Sequence, residues 1–392
     1  MYLDAIFYFV VLMAIFAVSD IISTATKAII PSMFTLSVLC AILFWGGNIV
    51  PSNILELAGI GTTLVYIVYY LQLPHMGTLM SVREMLVQWK TIVICLAGLV
   101  GMCLLTMTVG ALIFGREAAI VATPPLSGGI VAYLIMSDGA NAMGRPDLAT
   151  LALAVLVLQS FVGYPLTSFL LKREARHLMK DYRKGDVTLT AASSGPEKKL
   201  LPQLPDKYVT NNTTLFKVAV AGLIGILITT WTQEFVSRYV ILLIVGVILA
   251  EIGFLDRAPL IKSQVFGYTS VVIVGYVVVS GIAVATPDMV ASMLLPSIGI
   301  IVVGCIGLCL FSALAGRLLG FRWEMAMSVA LTALYGYPGN YILSQESVKA
   351  VAENDQESAY LSSRIEPQMI IGGFTTVTIA SVFVASIFIK FI

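Results

Sequence analysis

The segment Thr123-Pro-Pro-Leu-Ser-Gly-Gly129 interrupts an apolar stretch that would otherwise enter a membrane as a helix. A second segment, Tyr335-Gly-Tyr-Pro-Gly-Asn340, interrupts another apolar stretch in the second half of the chain. Both are rich in the residues that end helices. Backbone that leaves helical hydrogen bonding at membrane depth is tolerated only where it is buried in protein or lines a cavity. Two such breaks at corresponding positions of two halves therefore indicate a binding site between the halves of a membrane protein.

The composition indicates a membrane protein. Hydrophobic residues make up 58% of the 392-residue chain and charged residues only 11%, whereas soluble domains carry roughly 25% charged residues. The only histidines, His75 and His177, are predicted in polar connections. Because no span carries a His-Glu-x-x-His pair or a cluster of carboxylates, the sequence predicts neither an enzyme nor a resident cofactor, and it predicts no nucleic-acid partner.

Ten uninterrupted apolar runs are long enough to cross the roughly 30 Å hydrocarbon core of a bilayer. They lie at about 5–22, 30–47, 55–72, 91–114, 148–171, 215–232, 238–254, 264–285, 290–315 and 368–389. Two further apolar segments, about 117–137 and 323–343, contain the breaks. The sequence therefore predicts an all-α polytopic membrane protein with a first repeat at 1–171, a polar cytoplasmic linker at 172–214 and a second repeat at 215–392.

The second half repeats short sequences of the first. Gly98-Leu-Val-Gly-Met-Cys103 is echoed by Gly304-Cys-Ile-Gly-Leu-Cys309. Arg116 follows the first of these sequences at the same distance as Arg322 follows the second. The match between the halves needs an insertion near 344–364. These echoes favour an internal repeat.

The positions of the basic residues favour one membrane topology for the broken segments. If all twelve apolar segments cross the membrane, six basic residues outside the linker face the cytoplasm and seven face the other side. If the broken segments enter and return as re-entrant hairpins, nine lie inside and four outside. The positive-inside rule favours the hairpins. Each repeat then has five spans, an odd number, so we predict two inverted repeats in the cell inner (plasma) membrane with both termini outside.

The breaks also provide the candidate ligands. Proline carbonyls and threonine and serine hydroxyls suit a hard cation such as sodium, and the positive end of a half-helix suits an anionic group. The candidate substrate-binding residues are Ser127, Gly128, Gly129, Tyr335, Tyr337, Pro338, Gly339, Asn340 and Arg364. The candidate sodium ligands are Thr123, Pro124, Ser127, Gly336 and Asn340, with Asp138 as a further ligand on the entry side.

Each of these interpretations has an alternative that the sequence leaves open. The two breaks could be kinks in packed helices. Asp138 could be a solvated turn residue, and Arg364 could be an anchor at the cytoplasmic surface rather than a partner of a substrate carboxylate. No pair of aspartates lies in mid-membrane, which argues against a proton antiporter with a carboxylate-based site.

The chain resembles the sodium/glutamate symporter family and, more distantly, the 2-hydroxycarboxylate transporters. Leu126-Ser-Gly-Gly129 matches a segment of the first re-entrant loop of that family, and Gly336-Tyr-Pro-Gly-Asn340 partly resembles its second loop. After the first of these segments the family has a His-Gly-Thr-Gly run, whereas this chain has Ile130-Val-Ala-Tyr133. The resemblance implies a ten-span, two-hairpin plan and a homodimer, and it implies fold and transport more firmly than substrate.

These observations together predict a secondary active transporter that works by alternating access. Its expected activity is sodium-coupled symport of a small organic anion of the amino-acid or carboxylate type. A core containing both hairpins would move past a scaffold formed by the other spans. The alternatives are a proton-coupled carrier or exporter that uses Asp138, and a non-transporting membrane sensor or assembly protein with a transporter-like fold.

Overall fold

The computed structural model describes residues 2–46, 49–79, 88–128, 130–184, 200–201, 205–233, 238–283 and 287–391. These residues are helical, with no strand among them. Five of the described helices are long and apolar enough to span a membrane. They are Asp4–Ala25, Trp89–Phe114, Pro146–Arg183, Asn211–Trp231 and Ala291–Leu319. The prediction of an all-helical chain with membrane-spanning segments is confirmed.

The described helices fall into the two halves of the chain. The first half contains α1 (Tyr2–Ala25), α2 (Ser32–Trp45), α3 (Ile54–Leu57), α4 (Thr62–Thr78), α5 (Trp89–Leu105), α6 (Ala111–Phe114), α7 (Arg116–Leu126), α8 (Ile130–Ala142) and α9 (Pro146–Arg183). The second half contains α10 (Asn211–Trp231), α11 (Arg238–Glu251), α12 (Pro259–Lys262), α13 (Phe266–Ala283), α14 (Pro287–Leu319), α15 (Trp323–Leu331), α16 (Gly339–Val351), α17 (Asp355–Thr375) and α18 (Ser381–Phe388). The breaks separate α7 from α8 and α15 from α16.

Two π-helical stretches join helices that the sequence predicts as single spans. Thr106–Gly110 connects α5 to α6, and Thr376–Ala380 connects α17 to α18. A π-helical turn widens the helix locally, and such turns are frequent at functional sites. Both stretches lie against the breaks, as described below.

The packing divides the helices into two groups. The core group comprises α5 to α9 and α14 to α18; within it α5 packs on α14, and α9 packs on both arms of each break. The flanking group comprises α1 to α4 and α10 to α13, in which α4 packs on α10, α11 and α13. In each half the flanking helices precede the core helices. The α2 helix contacts the core group through α9 and α16.

The echoed glycines meet where α5 crosses α14. A Cβ atom on Gly101 would lie 2.5 Å from the carbonyl oxygen of Gly307, and a Cβ atom on Gly307 would overlap the carbonyl oxygen of Gly101. Glycine is required at both positions because the two backbones touch. Gly98 and Gly304, one helical turn earlier, face the same crossing. The contact is reciprocal, because equivalent positions of the two sequences touch each other.

Some boundaries differ from the sequence prediction. The α9 helix begins at Pro146 and runs to Arg183, so it includes the first part of the segment 172–214 that we predicted as linker. The polar segment near 344–364, predicted as an insertion, forms the end of α16 and the start of α17. These polar residues are helical because they pack on the extended C-terminal part of α9.

Candidate functional site

The first break ends α7 in a tightened turn. The N–H group of Ser127 donates to the carbonyl of Pro124 at 3.0 Å, and that of Gly128 donates to the carbonyl of Pro125 at 2.9 Å. These bonds span three residues and tighten the last turn of a helix. Gly128 has a φ of 91°, which suits glycine and strains other residues. Gly129 lies outside the described residues.

The second break is longer. After α15 the chain forms one 3₁₀ turn, Thr332–Leu334, and then leaves helical geometry at Tyr335. Gly336 has a φ of 62°, and the peptide bond between Tyr337 and Pro338 is cis. The α16 helix begins directly afterwards, at Gly339.

The two breaks touch each other in the interior of the core group. A Cβ atom on Gly128 would overlap the carbonyl oxygen of Ala333, at the end of the second break's incoming arm. It would also lie 2.9 Å from a methyl group of Val377, and a Cβ atom on Gly336 would lie at the same distance from that methyl group. Val377 belongs to the π-helical stretch Thr376–Ala380. The structure thus brings together Gly128 and Gly336, two of the four glycines among the candidate site residues.

A threonine pair ties each incoming arm to a π-helical stretch. The hydroxyls of Thr123 and Thr106 are 2.8 Å apart, and that of Thr123 also lies 2.7 Å from the carbonyl of Ala119. In the second half the hydroxyls of Thr332 and Thr376 are 3.3 Å apart. Thr106 and Thr376 are the first residues of the two π-helical stretches. These hydrogen bonds hold each incoming arm at a fixed position along the π-helical stretch beside it.

Asn340 joins the second break to α17. Its side chain is fully buried, its Nδ2 donates to the carbonyl of Met369 at 2.8 Å, and its Oδ1 accepts from the N–H of Tyr341 at 2.8 Å. The absence of a side chain on Gly373 permits this approach, since a Cβ atom there would overlap Nδ2. The amide nitrogen and the amide oxygen of Asn340, a predicted ligand, are therefore both hydrogen-bonded within the protein.

The oxygens predicted to bind sodium are also engaged. The hydroxyl of Ser127 donates to the carbonyl of Pro124 at 2.6 Å, and this carbonyl also accepts the N–H of Ser127. Thr123 and Asn340 are bonded as described above. A hydroxyl that donates its hydrogen keeps lone pairs on its oxygen, so these bonds fix the positions of the oxygens but do not by themselves make a cation site. No group of three or more His, Cys, Asp and Glu residues suited to a metal occurs in the described part of the chain.

The tyrosines of the second break point to opposite sides. Tyr335 lies against Tyr164 of α9, with ring centroids 5.1 Å apart. Tyr337 stacks on Phe374 of α17 at 6.1 Å and lies near Tyr69 of the flanking helix α4. The hydroxyl oxygens of Tyr335 and Tyr337 are both buried and neither makes a well-formed hydrogen bond, although that of Tyr335 lies close to the hydroxyl of Thr167. A buried hydroxyl that lacks a partner is costly, so these two groups are the ones best suited to bind a ligand.

Ion pairs join the first pair of arms to the N-terminal end of α9. Arg145, which directly follows α8 and precedes α9, pairs with Glu117 at the start of α7. It also pairs with Asp147 in the first turn of α9 at 2.9 Å. The beginning of α7 and the end of α8 therefore lie together at this end of α9.

Ion pairs join the second pair of arms to the opposite end of α9. Glu324, at the start of α15, pairs with Arg173 at 2.9 Å. Glu353, just after α16, pairs with Arg183 at 3.0 Å, and Arg183 also pairs with Glu357 at 2.8 Å. The hydrogen bond from Arg183 holds the pKa of Glu357 below its usual value. The beginning of α15 and the end of α16 therefore lie together at this end of α9.

Three predicted positions lie elsewhere. Asp138 is exposed on α8, and Arg364 is exposed on α17, where its guanidinium lies 5.8 Å from the ring centroid of Tyr360. Neither belongs to the buried residues of the breaks. His75, predicted in a connection, is fully buried in α4, where its Nδ1 accepts from the N–H of Leu260 at 3.3 Å.

The sequence analysis missed three polar side chains in the core group. Glu346 on α16 and Glu366 on α17 fall in or beside the segment that we predicted as an insertion. Gln159 on α9 is buried, and in the orientation that satisfies its amide it donates to the carbonyls of Pro125 and Leu126 at 3.2 Å.

Comparison with known proteins adds no identification. The chain matches no protein-family model and none of the curated proteins.

Proposed function

We propose that this protein is a secondary active transporter in which the core group moves relative to the flanking group. The observation that carries the proposal is the pair of helix breaks that meet in the interior of the core group. Polar groups of helix breaks at membrane depth form the substrate and ion sites of many transporters. The tyrosine hydroxyls that lack hydrogen bonds favour the second break as the first point of ligand contact.

The ion pairs along α9 support two re-entrant hairpins that enter from opposite sides of the membrane. Asp147 and Arg173 are separated by about 39 Å along α9, at about 1.5 Å per helical residue. This exceeds the roughly 30 Å hydrocarbon core of a bilayer. The arms α7 and α8 begin and end near Asp147, and the arms α15 and α16 begin and end near Arg173 and Arg183. The two breaks meet between these two ends of α9. The reciprocal contact of Gly101 and Gly307 supports the inverted repeat in the same way.

The proposed substrate is a small organic anion of the amino-acid or carboxylate type, and the proposed coupling ion is sodium. Both come from the resemblance to the sodium/glutamate symporter family. Dimerisation in the cell inner membrane is part of the same proposal.

The direct test is uptake into proteoliposomes that contain the purified protein. Radiolabelled amino acids and carboxylates are offered with and without an inward sodium gradient, and protein-free liposomes are the control. We expect sodium-dependent accumulation of at least one compound. Uptake that is equal with and without sodium would overturn the sodium coupling, and no uptake of any compound under a sodium or a proton gradient would overturn the transporter itself.

A reducible cross-link between the two groups tests the movement. The hydroxyl oxygen of Ser168 lies 2.7 Å from the carbonyl oxygen of Ala28 in the turn after α1. Treatment of the variant Ser168→Cys/Ala28→Cys with a short, reducible thiol cross-linker should abolish uptake, and a reductant should restore it. The matched control is Asp181→Cys/Arg322→Cys within the core group, where the native side chains form an ion pair at 2.7 Å. Its uptake should survive the cross-linker, and equal sensitivity of both variants would contradict a movement between the groups.

A further inference from the structure

The boundary between the core group and the flanking group is largely apolar near the second break. There Leu73, Met76, Leu242 and Leu243 of the flanking group form one buried cluster with Tyr341, Ile370, Ile371 and Phe374 of the core group. Apolar surfaces of this kind resist sliding only weakly, because their contacts are not directional. Directional contacts between the groups converge elsewhere, at the turn between α1 and α2.

Glu346 makes two of these directional contacts. One oxygen of its carboxylate accepts from the hydroxyl of Ser23 on α1 at 3.0 Å. The same oxygen accepts from the backbone N–H of Ser32, the first residue of α2, also at 3.0 Å. A carboxylate at the N-terminus of a helix is stabilised by the free N–H groups and by the helix dipole. Ionised Glu346 therefore fastens α16 of the core group to α2 of the flanking group.

Two further hydrogen bonds reach the same turn from α9. Ser168 donates to the carbonyl of Ala28 at 2.7 Å, and the ammonium group of Lys172 donates to the carbonyl of Lys27 at 2.8 Å. Lys27 and Ala28 have positive φ values of 50° and 52°, which turn their carbonyls toward the core group. These contacts would have to break in any movement of the core group past the turn.

The other carboxylate oxygen of Glu346 is buried and has no hydrogen-bond partner. Burial of an oxygen without a partner disfavours the ionised form, and so does Asp20 on α1, which lies close enough to interact electrostatically. The donors Ser23 and Ser32 favour the ionised form, as does Lys172. Burial and Asp20 therefore oppose the ionised form that Ser23, Ser32 and Lys172 support, so the protonation state of Glu346 depends on its surroundings.

The remaining charged neighbours come from the helices that pack on α16. On α16 itself, Lys349 interacts with Asp20. On α17, Glu366 is bonded to Gln345, the neighbour of Glu346, while α2 carries no charged side chain. On α9, Arg176 lies one turn beyond Lys172 and interacts with it.

We propose that Glu346 is a proton-binding site at the boundary between the two groups: the ionised carboxylate holds the turn between α1 and α2, and a proton on its free oxygen releases that turn. Protonation removes the attraction to the N-terminus of α2 and weakens the bonds from Ser23 and Ser32. The protonation of Glu346 is argued from this geometry alone, whereas a role of that protonation in a transport cycle rests on the proposed function.

Hydrogen exchange measures the release without a known substrate. Hydrogen–deuterium exchange of the purified protein in lipid nanodiscs is measured at about pH 8 and about pH 5. These two pH values lie above and below the pKa values that partly buried carboxyl groups commonly have. After correction for the intrinsic pH dependence, we expect the backbone amides of residues 23–32 to exchange roughly tenfold faster at the lower pH. A tenfold factor corresponds to a difference of about one unit in the pKa of Glu346 between the held and the released turn. In Glu346→Gln this ratio should fall to about one. Glu353→Gln, an exposed carboxylate beyond the same helix, should behave as wild type.

A second variant keeps the proposal testable if Glu346→Gln does not fold. Ser23→Ala leaves the titrating carboxylate in place but removes one donor to its ionised form, so the release should move to higher pH. An unchanged pH dependence in Glu346→Gln, or in Ser23→Ala, would overturn the proposal. If residues 23–32 respond to pH as expected while the liposomes take up none of the compounds under either gradient, the proton site stands and the transport proposal fails.

Discussion

The two helix breaks have similar compositions but differ in how their polar groups are used. In the first break the hydroxyls of Thr123 and Ser127 are bonded to groups on the π-helical stretch Thr106–Gly110 and on α7. In the second break the hydroxyls of Tyr335 and Tyr337 are buried and make no hydrogen bond. Both breaks contain proline and glycine, yet among their described residues the side-chain hydroxyls that lack a hydrogen bond belong to the second break.

A helix break can therefore serve packing, by letting two backbones approach each other, or ligand recognition, by leaving polar groups free. We call the first kind a packing device and the second a recognition device. The first break allows the backbone at Gly128 to approach Ala333, and it therefore supports the second. The second break extends from Tyr335 beside α9 to Tyr337 at the boundary with the flanking group. The following predictions test this division, beginning with the largest expected effect.

Replacement of Gly128 by alanine should be the most disruptive change at the first break. The new Cβ atom would overlap the carbonyl oxygen of Ala333, and the φ of 91° would strain it. We expect a loss of more than about 4 kcal/mol in the free energy of unfolding, the range of severe core defects. The loss is measured as a shift of the unfolding midpoint in detergent.

The control is Gly115→Ala. Gly115 has a φ of 90°, yet a Cβ atom there would meet nothing within 4 Å. It therefore isolates the backbone strain, about 1–2 kcal/mol. If the two variants lose equal stability, the close contact between the breaks is not what makes Gly128 necessary.

Replacement of Asn340 by alanine should be the next largest effect, at the second break. It removes the bond that Asn340 Nδ2 donates to the carbonyl of Met369 at 2.8 Å and the bond that Oδ1 accepts from Tyr341, each of which contributes about 0.5–1.5 kcal/mol. We expect a loss of about 2 kcal/mol, against about 1 kcal/mol or less for Ser127→Ala, whose bond closes a local turn. Thermal unfolding compares the two, with the exposed Asn141→Ala as control. A larger loss in Ser127→Ala would contradict the idea that Asn340 is the structural anchor of its break.

The sequence predicted the helical class and the two breaks because proline and glycine act on the chain locally. It also named Gly128 and Gly336 among the candidate site residues, and a Cβ atom on either would lie 2.9 Å from the same methyl group of Val377. It could not predict which polar groups would stay free, since the partner of Asn340 is the carbonyl of Met369, 29 positions away. It missed Glu346 because a carboxylate in a polar segment is locally indistinguishable from one in a loop.

The threonine pairs should differ in strength between the breaks. The hydroxyls of Thr106 and Thr123 are 2.8 Å apart, and those of Thr332 and Thr376 are 3.3 Å apart. Double-mutant cycles with valine should give a coupling energy of about 1 kcal/mol for the first pair and about half of that for the second. A coupling that is stronger in the second pair would reverse the assignment of the first break as the packing device.

Replacement of Tyr337 by phenylalanine should barely change stability, because the buried hydroxyl it removes has no partner. The free energy of unfolding should stay within about 0.5 kcal/mol of wild type. If the ligand meets the second break at the boundary, the apparent KM for uptake should rise about tenfold, equivalent to about 1.4 kcal/mol of lost binding. Tyr335→Phe is the matched variant, since it also removes a buried hydroxyl without a partner but does so beside Tyr164. A rise in KM in both variants would extend the site to α9, whereas a rise only in Tyr335→Phe would move the site away from the flanking group.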